Sequence, residues 1–119
     1  MKSMTEKAKR ITLRFRVVDR KNFNEVKDGT KRVETRAATE RYRNIKKGDV
    51  LIVVCGKSRI TKVVKKAHHF SSITAMIKVI PMRKIMPSVS SMTELRKAYY
   101  SYPGYKEKIQ RYGLVAWEI

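Results

Sequence analysis

Gly29-Thr30-Lys31-Arg32-Val33-Glu34-Thr35-Arg36 sets a lysine, a glutamate and an arginine at fixed offsets from a glycine, in the pattern G-x-K-x-x-E-x-R. Before it, Asp19 can cap a short helix whose Phe23 and Val26 face the core, and Gly29 supplies the left-handed residue that ends it. Residues 31–36 then read as a strand. In an ideal strand Arg32, Glu34 and Arg36 share one face while Lys31, Val33 and Thr35 share the other. A carboxylate between two guanidinium groups stays ionised, and a Glu34 bond to Arg36 or Arg32 leaves further donors for a phosphate or a base edge. Lys31 and Glu34 line one cleft only if the strand bulges or twists at Arg32-Val33. The alternative is a solvated surface strand with ordinary ion pairs.

Upstream of the octet, Ile11, Leu13, Phe15 and Val17 alternate with Thr12, Arg14 and Arg16, which predicts a half-buried strand with a basic outer face. Downstream, residues 37–48 form a loop whose end, Lys46-Lys47-Gly48-Asp49, turns the chain into the apolar strand Val50–Cys55. Gly56-Lys57-Ser58 turns it again. Residues 59–69 fit both periods, but their β-branched content and the tight preceding turn favour a strand bulged near Val63-Val64. Ser72 caps a helix with Ile73, Met76, Ile77 and Ile80 on one face, stopped by Pro81, and residues 82–89 are irregular or one short strand. Ser91-Met92-Thr93-Glu94 is a capping box that opens a helix facing inward through Met92, Leu95, Tyr99 and Tyr102. Pro103-Gly104 breaks it. A short helical turn with Tyr105, Ile109 and Tyr112 follows, and Leu114–Ile119 is a closing strand. This order fits no doubly wound sheet. It predicts an α+β fold: a small mixed β-barrel of about five to six strands with short capping helices, the last strand pairing with an early one.

The 119 residues allow one domain with a single core, here residues 11–119 behind a loose basic arm at 1–10. Hydrophobic residues make up 42% of the chain, which excludes a disordered basic tail, and no apolar run is long enough to span a bilayer. No signal-peptide segment follows the first lysines. The one cysteine, Cys55, sits in an apolar run and reads as a buried hydrophobe, so a reducing, cytoplasmic setting is expected. The net charge of +19 divides into +10 over residues 1–48, +7 over 49–86 and +2 over 87–119. Between Asp49 and Glu94 there is no carboxylate. Eight Lys and Arg in that span cannot be neutralised locally, and the resulting positive potential points to nucleic acid rather than to a membrane surface.

The octet, the Lys47-Gly48-Asp49 turn into an apolar strand, and the ending Tyr112-Gly113-Leu114-Val115-Ala116-Trp117-Glu118-Ile119 together resemble the ASCH family, a branch of the PUA-like barrels. The resemblance spans roughly residues 11–119 and matches every fixed position of the octet. It implies a PUA-like barrel whose cleft is lined by Lys31, Glu34 and Arg36, and a role in RNA binding, RNA metabolism or nucleoside chemistry. Some similar members are amidohydrolases acting on acetylated cytidine through an octet Lys, a Thr three residues later and a Glu before the penultimate helix. Lys31 matches the first of these. The second position holds Glu34, and no carboxylate precedes the helix at Ser91, with Ser88 near the acid's place. Other relatives are ribonucleases, for which Lys31, Tyr42 and Ser88 would supply charge stabilisation and proton transfer.

Arg41-Tyr42-Arg43 puts an aromatic ring between two guanidinium groups, suited to stacking a base and holding flanking phosphates; otherwise Tyr42 closes the barrel mouth. The nucleic-acid candidates are therefore Lys31, Arg32, Glu34, Arg36, Arg41, Tyr42 and Arg43, with Lys57 and Lys65 holding phosphates in general. Lys31 and Glu34 are the candidates for catalysis. Adjacent His68 and His69 point to opposite faces of a strand with no third ligand nearby, so no metal is expected, nor any cofactor. The tyrosines from Tyr99 to Tyr112 fall at helical spacing and read as packing. The expected partner is RNA, single-stranded or carrying a modified nucleotide.

Overall fold

The computed structural model describes residues 8–119, so most of the expected basic arm, residues 1–7, lies outside the described residues. Six strands are found there: β1 (Arg10–Phe15), β2 (Val33–Ala37), β3 (Val50–Cys55), β4 (Ser58–Val63), β5 (Lys66–Phe70) and β6 (Leu114–Glu118). The helices are α1 (Arg20–Asp28), α2 (Ile73–Ile77), α3 (Met82–Ile85), α4 (Met92–Tyr100) and α5 (Tyr105–Tyr112), with a 3-10 turn at Val17–Asp19. One sheet has the order β1-β3-β4 and the other β2-β6-β5. β1 and β3 are parallel, which is feasible because α1 and β2 provide the long crossover between them; the other pairs are antiparallel. No ladder among the described residues joins the two sheets into a closed barrel.

Register fixes the layers. Leu13 of β1 lies beside Val53 of β3, and both join Leu51, Phe23 of α1, and Val115 and Trp117 of β6 in the core between the sheets. The opposite face of the second sheet, through Val33, Leu114 and Ala116, meets Ile73, Met76, Leu95 and Tyr99 of the helices. Sheet β2-β6-β5 is thus the middle layer. Its central strand is buried from Leu114 to Trp117, and a strand covered on both sides needs an apolar run rather than an alternation.

Three connections bring these layers together. At Val64-Lys65 the chain leaves the first sheet for the second: Val64 N–H donates to the Asp49 carbonyl at 2.9 Å and Lys65 N–H to the Glu118 carbonyl at 2.7 Å. The irregularity expected as a bulge is this change of sheet. Asp49 is fully buried, and its two carboxylate oxygens accept the Lys9 and Lys46 backbone N–H groups, each at 2.9 Å. Gly113 has φ +78° and ψ −159°, and a Cβ there would lie 2.3 Å from the Phe70 carbonyl oxygen, so only glycine lets β5 and β6 approach at this corner.

The local signals held at Gly29, a left-handed C-cap at φ 85°, and at Ser72 and Ser91, whose hydroxyls accept the Ala75 and Glu94 N–H groups at 3.1 Å. Other expectations are corrected. Asp19 makes no side-chain cap, because its carboxylate accepts the Arg16 Nε–H at 2.7 Å. Glu94 bonds Ser90 rather than returning to Ser91. Residues 82–85 form α3, neither irregular nor a strand; Pro81 at its N-cap has no N–H to lose there. The octet strand begins at Val33 and reaches Ala37, since Lys31 N–H is drawn back to the Glu25 carbonyl and Arg32 N–H to the Lys84 carbonyl, both at 3.0 Å. Among the described residues no helix is long and apolar enough to cross a membrane.

Candidate functional site

β2 is an edge strand, paired with β6 alone, so every second N–H points away from its ladder and must find another acceptor. The Thr35 N–H donates to Glu34 Oε1 at 2.9 Å, and the Ala37 N–H to the Tyr105 hydroxyl at 3.4 Å. That free edge forms one wall of a cleft of about 160 Å³, roughly ten times the ~10–15 Å³ that one water needs. Phe15 and Arg16 from the end of β1, Asn22 of α1, and Tyr102 and Tyr105 at the α4–α5 junction enclose it, with Lys31 and Met86 at its base.

Glu34 is only 5% exposed and its second oxygen, Oε2, has no partner among the described residues. Arg36 Nε, also buried, is equally free, while its guanidinium carbon lies 5.3 Å from the Phe15 ring centre and 5.9 Å from that of Tyr42. The faces of Phe15 and Tyr42 hold the cation in place without using its Nε–H. Lys31, 3% exposed, donates from Nζ to the Ile85 carbonyl. Burial pushes the Lys31 amine below its ordinary value, with Glu34, Glu25 and Arg36 as smaller influences, the two carboxylates opposing the shift. Burial is the largest single influence on Arg36 and disfavours its cation, but Glu34 together with Tyr105 and Tyr42 outweighs it and the pKa stands above normal. The Tyr102 hydroxyl is pushed up to about 12, chiefly by burial and then by Asp19 and Glu34. Behind the wall the Thr35 and Tyr99 hydroxyls hydrogen-bond each other, which fixes β2 to α4.

The structure brings Lys31, Glu34 and Arg36 into one cleft, but not by the pairing expected. No hydrogen bond or ion pair among the described residues joins Glu34 to Arg32 or Arg36; the carboxylate turns to its own strand's orphan N–H instead. No bulge at Arg32-Val33 is needed, because Lys31 precedes the strand and escapes its alternation. Arg32 lies outside this cleft, in a second one with Arg83 and Lys84. Tyr42 packs edge-on against Trp117 at 6.2 Å, with Arg41 at 5.5 Å from its ring centre, so it closes the core rather than standing free. Arg41, Arg43, Lys57, Lys65 and Ser88 are exposed and line neither cleft. His68 is bonded to Glu118 at 2.7 Å and His69 to the Tyr112 carbonyl at 3.1 Å; no group of metal-ligating side chains is found among the described residues. Sequence reasoning missed Asn22, and it took Tyr102 and Tyr105 for packing. Helical spacing placed those tyrosines inward, while the Pro103-Gly104 break that turns them to the cleft carried the missing signal.

The ASCH domain model matches residues 17–119, a span that includes the octet and all the cleft's lining residues except Arg14, Phe15 and Arg16. The crystal structure of hypothetical protein PH0355 is similar at a TM-score of 0.79 and 28% identity, covering 92% of this chain and 95% of that one. The solution NMR structure of protein PF0455 from Pyrococcus furiosus is similar at a TM-score of 0.69 and 27% identity, covering 94% of each. No curated protein matches the sequence. From the match over most of its length, the chain belongs to the ASCH domain family.

Proposed function

We propose that this protein is an RNA-binding module that takes a nucleobase, plain or modified, into the cleft formed by Lys31, Glu34 and Arg36. The observation that carries the reading is the pair of open valences inside the cleft: a buried carboxylate oxygen of Glu34 and a buried Nε–H of Arg36, both without protein partners. Buried polar atoms are normally satisfied, and a ligand that presents an amino N–H to Glu34 and a carbonyl or ring nitrogen to Arg36 satisfies both. A base edge has that alternation, and Glu accepting from an exocyclic amine is a known form of base readout. Phe15, Tyr102 and Tyr105 give such a base apolar walls. The net charge of +19 supplies long-range attraction for the phosphates.

A titration of RNA, single-stranded DNA and duplex DNA at two salt concentrations, with hydrolysis followed in the same tubes, tests this reading. It predicts a preference for RNA and no turnover. A second reading has its own support: the lowered Lys31 amine close to the negative Glu34 is what an enzyme acting on RNA or on a nucleoside base would need for proton transfer. Lys31→Ala separates the two. In a binding module it weakens RNA by about 1–3 kcal/mol, and in an enzyme it leaves affinity nearly intact while the rate falls about 10²-fold or more.

A further inference from the structure

Two short segments of the chain, 31–32 and 86–87, contribute to both clefts. Lys31 and Met86 line the first; their chain neighbours Arg32 and Pro87, with Arg83 and Lys84 of α3, line the second. This shared wall is pinned, since the Arg32 N–H donates to the Lys84 carbonyl and the Ile119 N–H to the Arg32 carbonyl, both at 3.0 Å. Three cationic side chains therefore hang from backbone that cannot easily spread apart.

Their charge is only partly offset within the protein. Asp28, the one carboxylate lining this cleft, accepts the Thr30 N–H at 2.9 Å and the Thr30 hydroxyl at 2.7 Å through one oxygen, which lowers its pKa and keeps it ionised, so a single anion faces three cations. Glu118, which is near enough to feel the Lys84 charge, is held by His68 at 2.7 Å. Among the described residues no ion pair involves Arg32, Arg83 or Lys84. Like charges gathered in one concavity repel each other, and an anion with several oxygens relieves them; two guanidinium groups and an ammonium match a phosphate.

We infer that the second cleft binds a backbone phosphate of the strand whose base occupies the first, so that the ligand is a nucleotide within an RNA chain and not a free nucleoside. The inference rests on the reading of the first cleft given above. It adds a direction: the strand passes from the base cleft toward the end of α1, where Asp28 and Gly29 line the second cleft.

The test uses the full chain and the double variant Arg83→Gln/Lys84→Gln, both exposed positions whose change leaves the core intact. The probes are a nucleoside, inorganic phosphate and a short single-stranded RNA. For the variant, RNA affinity falls about tenfold or more, and the slope of log affinity against log salt flattens by about 0.7 for each phosphate that is no longer neutralised. Nucleoside affinity stays at the wild-type value. Inorganic phosphate that competes with the RNA but not with the nucleoside also supports the site. Wild-type RNA affinity and salt slope in the variant overturn the second cleft while leaving Glu34-dependent nucleoside binding, and hence the first cleft, in place. If wild-type protein binds neither nucleoside nor RNA, both readings fall.

Discussion

Glu34 makes two demands on its surroundings, one structural and one open. Glu34→Gln keeps an oxygen to accept the Thr35 N–H but turns the free Oε2 into an amide donor, so the fold survives while the readout inverts. RNA affinity should fall about 10- to 100-fold with little change in melting temperature, the scale of one charge-assisted hydrogen bond. Unchanged affinity would remove Glu34 from the binding set. Lys31 gives a pH test. Its pKa in the folded chain lies below the ordinary 10.5, so between the two values the unfolded chain binds more protons and stability rises with pH. Lys31→Met should be favoured over wild type most at lower pH, and the gap in urea midpoints should close as pH approaches 10.5. A gap independent of pH would show that the amine is not desolvated. The octet named these residues because their types and offsets are fixed. It could not name Glu34's partner, since the Thr35 N–H is an orphan only in an edge strand, and edge position is a property of the finished sheet.

At the scale of elements, the cleft depends on two corners that contain none of its side chains. Gly113→Ala forces a Cβ onto the Phe70 carbonyl at a positive φ, and should destabilise the fold by about 2–4 kcal/mol in equilibrium unfolding. Asp49→Ala leaves the Lys9 and Lys46 N–H groups without their buried acceptor and should cost about 3 kcal/mol by the same measurement. A near-neutral result at either position would show that the corner relaxes. The caps at Gly29, Ser72 and Ser91 and the apolar strand at Val50–Cys55 were legible in the sequence because each depends on residues close together in the chain. The split of residues 58–70 between two sheets was not, because both β4 and β5 satisfy a strand pattern and only their distant partners, β3 and β6, separate them. The helix α3 is four residues long, too short to show a period.

For the whole molecule, the pairing of the last strand with an early one was legible in the sequence, that partner being β2, whereas closure into a barrel is not found among the described residues. The strands hydrogen-bond as two sheets, and the gap beside β2's unpaired edge is where the cleft opens. The cleft holds its own charged groups, Lys31, Glu34 and Arg36, while Arg41, Arg43, Lys57 and Lys65 are exposed and lie outside it. Steering and recognition should therefore separate: Lys57→Ala with Lys65→Ala should weaken RNA and DNA alike and reduce the salt slope by about 0.7 for each single-strand phosphate the two lysines neutralise. A selective loss of RNA in that variant would place recognition on the outer surface. The most direct test of the cleft is a chemical-shift map of the protein in solution as short single-stranded RNA is added. The account predicts the largest changes at Phe15, Lys31, Glu34, Arg36 and Tyr102, with smaller ones over the exposed lysines and arginines. Changes spread over the basic surface, with none at Glu34 or Arg36, would contradict it.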